Sequence, residues 1–196
     1  MASRMLKVLT LLILTGVTAG AYGKDGNGQF VLKGEGNATC AQFIDAATNS
    51  EPQLAGFGGF VNGYTSAYNQ ISDETFDVWP WQTIDTILLI ALQRCRQSPD
   101  MQFGSVVMQL TQYLARNRLS QSAVLVDVKG TDGRRAFSLY APVMEELKQR
   151  LEARGYNADD VYSGLMRFKN DIRAANTPNI IQVLLLRLFS ENVSNG

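Results

Sequence analysis

The chain has 196 residues, 45% hydrophobic and 18% charged, a globular composition sufficient for one domain or two small ones. Eighteen basic residues balance eighteen acidic ones, far from the basic density of a nucleic-acid binder. No histidine occurs anywhere, which removes Cys-His and Ser-His nucleophilic pairs and most zinc and copper sites.

At the start, Arg4 and Lys7 precede an apolar run from Val8 to Leu14, then small residues and Ala19-Gly20-Ala21. A positive end, a short apolar centre and an A-x-A site read as a signal peptide over 1–23, cleaved near Ala21 or Gly23. The run is too short to span a bilayer, and no cysteine at the cleavage site offers a lipid anchor. A buried N-terminal helix is the alternative. The expected product is periplasmic or secreted, with no stable membrane anchor after cleavage. Export gives the only two cysteines, Cys40 and Cys95, a meaning: in an oxidising compartment they most simply form one bridge. It would close a loop of about 55 residues, worth ~4 kcal/mol in the chain-entropy model. Two buried free thiols are the alternative.

Residues 24–37, with glycines at 26, 28, 34 and 36 around QFVL, read as a flexible lead. Thr39 is placed to cap a helix through CAQFIDAA that ends near Asn49 and Ser50. A central helix follows from about Gln53 to Gln70, its apolar stripe formed by Phe57, Phe60, Val61, Tyr64, Tyr68 and Ile71. Glycines at 56, 58, 59 and 63 cost up to ~1 kcal/mol each there, tolerable where another helix comes close. TFDVWPWQ then makes a loop. Exposed indoles at Trp79 and Trp81 would mark a binding surface; packing over a core edge is the alternative. The third helix, 83–97, is capped by Thr83 and faces Ile84, Ile87, Leu88, Ala91, Leu92 and Cys95 inward. Leu89 and Ile90 widen that face, as in a helix buried on most sides. The fourth, roughly 101–117, carries Phe103, Val106, Val107, Leu110 and Leu114 on one stripe. These four helices make a bundle over residues 38–117.

From Ser120 the period changes. AVLVDV and RAFSLY read as two strands around an Asp132-Gly133 turn, a hairpin that must pack on something. Pro142 then opens a helix with Met144, Leu147 and Leu151, and Gly155 stops it. Asp159-Asp160 opens another carrying Val161, Leu165, Phe168 and Ile172. Those two acids are read as offsetting the helix dipole rather than as a metal or acid-base pair. Thr177-Pro178 caps the last, with Ile180, Ile181, Leu184, Leu185, Leu188 and Phe189. Residues 120–190 thus form a small unit of one hairpin and three helices, and 191–196 a frayed tail. The fold class is mainly α. Two lobes sharing an interface are favoured; one continuous domain is the alternative. Charge divides likewise: four basic residues face nine acidic ones over 24–115, against twelve and nine from Arg116 onward. Ordinary solvated faces would also explain that asymmetry.

TCAQF (39–43), GFVNGYTSAYN (59–69), FD (76–77), QRCRQSP (93–99) and FGSVVMQL (103–110) together resemble the HdeA-like family of small periplasmic helical proteins. The shared features are two cysteines, an aromatic-Gly-Tyr helix after the first, and Cys-x-x-x-Pro before the last helix. The resemblance covers about residues 38–117 and implies a helical fold tied by Cys40 and Cys95. The family's founding members are acid-stress chaperones that separate at low pH and expose apolar surface to clients. This chain departs by some 80 additional residues and by lacking their lysine-rich character. Over 143–189, LKQRLEARGY, LMRFKND and TP with LLLRLF look similar to the three-helix peptidoglycan-binding-like domain. In place of that pattern's DG-x-x-G-x-x-T loop stands the shorter NADDVYSG.

No phosphate loop, Rossmann fingerprint or paired-carboxylate motif is present, so no enzymatic activity, cofactor or metal is expected. The expected function is that of an exported binding protein, chaperone-like in acid stress, whose partners are other proteins: clients or envelope components. The candidate interaction surface comprises Phe57, Tyr64, Trp79 and Trp81 in the first half and Arg134, Arg135, Arg150 and Arg154 in the second. The alternative is a cell-envelope assembly or peptidoglycan-associated module acting through the C-terminal unit.

Overall fold

The computed structural model describes residues 25–177 and 179–190. The expected signal peptide, the frayed tail and Pro178 of the last cap lie outside the described residues. Residues 25–31 belong to a separate short segment, in which Asp25 Oδ1 accepts from the N–H groups of Asn27 and Gln29. The described residues from Leu32 onward form one compact unit of mainly helical structure, with a single two-stranded hairpin among them.

Thr39 starts α1 (Cys40–Asn49) through a capping box with Gln42, satisfying two N–H groups that the first helical turn leaves unpaired. Ser50 separates it from α2 (Glu51–Ile71), where Pro52 in the first turn removes only a donor the helix does not use. Glu51-Pro52 therefore opens the second helix at the point where the first one ends. Thr83 caps α3 (Ile84–Gln97), and α4 (Phe103–Leu114) runs into a 3-10 turn at Ala115–Asn117.

Cys40 at the start of α1 and Cys95 near the end of α3 are both fully buried and joined as a disulfide. Backbone bonds tie the same corner: Cys40 N–H donates to Met101 O, Ala41 N–H to Pro99 O, and Phe103 N–H to Ala38 O. Phe43, Phe57 and Phe103, one each from α1, α2 and α4, meet at centroid distances of 4.5–5.0 Å. Val61, Val78, Ile87, Ala91, Val106 and Val107 complete a first core cluster. Tilted and edge-on aromatic pairs of this kind add about 0.5–1.5 kcal/mol each beyond area burial.

The lead is ordered at its end: Gly34–Asn37 forms a 3-10 turn, and Gly36 is buried under the ring of Phe60. The tight approach falls there too, since a side chain at Gly104 would lie 2.7 Å from Gly36 O. In α2, Gly59 and Gly63 face open space, while Gly58 alone meets α3, opposite Ile84 and Leu88. Ile71 is 78% exposed because it ends α2 beyond the reach of its neighbours. Leu89 is 40% exposed, so α3 is not covered on most sides.

The hairpin pairs β1 (Leu125–Lys129) with β2 (Arg135–Tyr140), with a register shift between Val128 and Lys129. Its Val128–Leu139 face packs on α5 (Ala141–Glu152), as a two-stranded sheet requires. Gly155 ends the α5 turn at φ +76°, and Asp160 caps α6 (Val161–Asp171) by accepting from Ser163 N–H. With α7 (Ile180–Ser190) these elements enclose a second, aliphatic cluster of Leu147, Leu151, Leu165, Leu184, Leu185 and Leu188. The α2–α3 connection serves both clusters. Trp79 sinks into the first, whereas Trp81 stacks on Phe189 of the second at 4.9 Å.

Candidate functional site

The proposed aromatic surface does not hold together. Phe57 is 5% and Trp79 4% exposed, and each belongs to the first core. Phe57 sits on the α2 stripe that closes against Phe43 and Phe103, and the large indole of Trp79 is buried with Val78. The Trp79 Nε1–H finds no acceptor among the described residues, so that burial is apolar in purpose and costs about 1–3 kcal/mol. Tyr64 is half-buried beside Phe60 and Tyr68; burial and then Tyr68 raise its phenol above the ordinary value. Trp81 covers a core edge.

The four arginines divide into two pairs. Arg134 and Arg135 are exposed on the hairpin, each within 3.9 Å of an aspartate, Asp132 and Asp127 respectively. Arg150 on α5 grips Glu146 through two N–H groups at 2.7 and 2.9 Å and also donates to Leu188 O. Arg154 donates to Arg150 O. The second pair therefore fastens α5 and its link to α7.

The structure instead creates a groove that no stretch of sequence displays. Phe43 and Ala47 of α1, Leu54 of α2 and Leu88, Leu89 and Leu92 of α3 form one wall. Val183 and Leu186 of α7 form the other, around a cavity of about 260 Å³. At its polar side the buried Thr86 hydroxyl donates to Gln182 Oε1 at 2.7 Å, pinning α3 to α7, and lies 3.1 Å from Thr83 Oγ1. Among the described residues Asp85 is the one charged residue in the lining. The site can exclude water from an apolar group and offer it a single negative rim. Asn179, Gln182, Val183 and Leu186 were not among the sequence-derived site residues. A signal did exist: IIQVLLLRLF is apolar nearly all round, so α7 needs cover on a second face or must leave it lining a groove.

Among the described residues no helix is long and apolar enough to cross a membrane, and no three metal-ligating side chains come together. No protein-family model matches this chain, and no curated protein or solved structure matches it either.

Proposed function

We propose that this is an exported, non-enzymatic binding protein that holds apolar segments of partner proteins. The observation that carries the reading is the groove between α3 and α7, an apolar lining with Leu89 exposed at its mouth. A buried bridge, the compartment it suits, and the positive-then-apolar start of the sequence support export. Kinship with HdeA-like proteins belongs to the same proposal, supported by the bridge that brackets the aromatic α2 and by the Cys-x-x-x-Pro before α4.

In its chaperone-like form the proposal makes acid the trigger. The charge imbalance over 24–115, nine acidic residues against four basic ones, is what makes the chain sensitive to acid in this reading. The groove then widens as α7 parts from α3. Apolar-dye fluorescence and client-aggregation assays at neutral pH and at about pH 3 test it. A protein that binds dye at neither pH and protects no client ends the proposal. The envelope or peptidoglycan reading is the alternative within it. The exposed pair Arg134 and Arg135 favours it, and a pull-down on purified peptidoglycan beside one on envelope extract separates the two.

A further inference from the structure

The turn between α6 and α7 contains a residue type that its backbone does not favour. Arg173 adopts φ +52°, the left-handed conformation that glycine ordinarily fills just past a helix C-terminus. Its N–H donates to Asn170 O and the Ala174 N–H to Lys169 O, both at 3.0 Å, so the turn is a closed helix stop. Lys169 Nζ, bonded to Asn176, holds the next stretch of the same turn. After α5 the equivalent place is taken by Gly155 at φ +76°. The chain thus uses glycine at one stop and accepts backbone strain to place arginine at the other. Strain of that kind points toward what the side chain does.

Arg173 lines a cavity of about 560 Å³, within the range of small-ligand sites. Phe168, Ile172, Ala174 and Val183 give it an apolar floor, and Arg187 of α7 supplies a second guanidinium. Among the described residues no acidic side chain lines the cavity. Neither arginine's guanidinium makes an ion pair or hydrogen bond among the described residues. Two fork-shaped donors with no acidic partner among the described residues, set above hydrocarbon, are complementary to an acid carried on an apolar body. We propose that this cavity binds a small anionic amphiphile, one carboxylate or phosphate on a short hydrocarbon body, gripped by Arg173 and Arg187. This site shares Val183 with the groove on α3 but none of that groove's other lining residues, and its failure would leave the binding reading above untouched.

Calorimetric titration of the full chain with octanoate, octyl phosphate and inorganic phosphate tests it. The expected result is saturable binding of octanoate or octyl phosphate with Kd below about 1 mM, inorganic phosphate being weaker by about tenfold or more. The two amphiphiles distinguish a carboxylate from a phosphate head. Arg173→Gly and Arg187→Ala should each weaken binding by about tenfold or more. Arg173→Gly should also raise the thermal midpoint, because glycine accepts the left-handed backbone. That separates loss of a ligand contact from loss of structure. Three results overturn the proposal: no saturation by either amphiphile below about 1 mM, inorganic phosphate binding as tightly as octyl phosphate, or both variants retaining affinity within about twofold.

Discussion

The two core clusters stabilise their helices differently. The first is aromatic at its centre, with Phe43, Phe57 and Phe103 in mutual contact, and is closed by a bridge between α1 and α3. The second is built from leucines of α5, α6 and α7 and contains no covalent link. In the first, four helices are held from one corner. In the second, the hairpin and helices rely on apolar burial, plus the Arg150 contacts to Glu146 and Leu188. The first cluster should therefore depend on redox state and the second should not. Between them, Trp81 on Phe189 and Thr86 on Gln182 couple the two.

Severing the bridge should separate the two clusters most strongly. Replacing both Cys40 and Cys95 with serine should lower stability by ~4 kcal/mol in denaturant melts. Amide exchange should accelerate in α1 to α4 more than in α5 to α7. Equal acceleration everywhere would show that the two clusters unfold as one. Leu165→Ala, at a fully buried position of α6, should cost about 2–5 kcal/mol and reverse the pattern, loosening the second cluster first.

The tryptophan pair lies where the two clusters meet. Trp81→Ala removes the stack on Phe189 and should cost about 1–3 kcal/mol while uncoupling the two exchange patterns. Trp79→Phe should cost less than a typical core truncation, because the lost N–H has no partner to abandon. A larger penalty for Trp79→Phe than for Trp81→Ala would contradict the assignment. Thr39→Ala breaks the capping box beside the bridge and should cost ~1 kcal/mol.

Acid should act on the second cluster through Asp160, whose carboxyl is held below its ordinary value of 3.8 chiefly by the Ser163 hydroxyl and then its N–H. A lowered folded pKa means its support is present above pH 3.8 and disappears as pH falls through the lower folded value. Asp160→Asn should flatten that part of an acid titration of α6 helicity. At the alkaline end, burial and then Asp77 raise the Tyr140 phenol above 10.0. Its contribution is therefore complete below pH 10.0 and lost as pH rises through the folded value, an effect Tyr140→Phe should remove.

Local chemistry made much of the fold legible. Thr39 and Thr83 read as caps, Gly155 as a stop, the Asp132-Gly133 turn as a hairpin, and the cysteines as one bridge. These are consequences of residues close in sequence, or of a choice with one simple solution. What stayed hidden depends on which neighbour arrives from afar. Periodicity marks Leu89 and Phe57 alike as apolar; only the packing leaves one at a groove mouth and seals the other beneath Phe103. Likewise the groove requires α7 against α3, fixed by Thr86 and Gln182, 96 residues apart. Arg173 was invisible because its value as a site residue lies in a backbone angle.

The claim at the centre is that the α3–α7 groove binds apolar segments, and Leu89→Glu tests it most directly. The side chain is 40% exposed, so the substitution should leave the unfolding midpoint near that of the parent chain. Fluorescence titration with an environment-sensitive apolar dye, repeated with a client peptide as competitor, is the measurement. Loss of dye and peptide binding in a variant that remains folded is the predicted result. Undiminished binding by that folded variant would contradict the account.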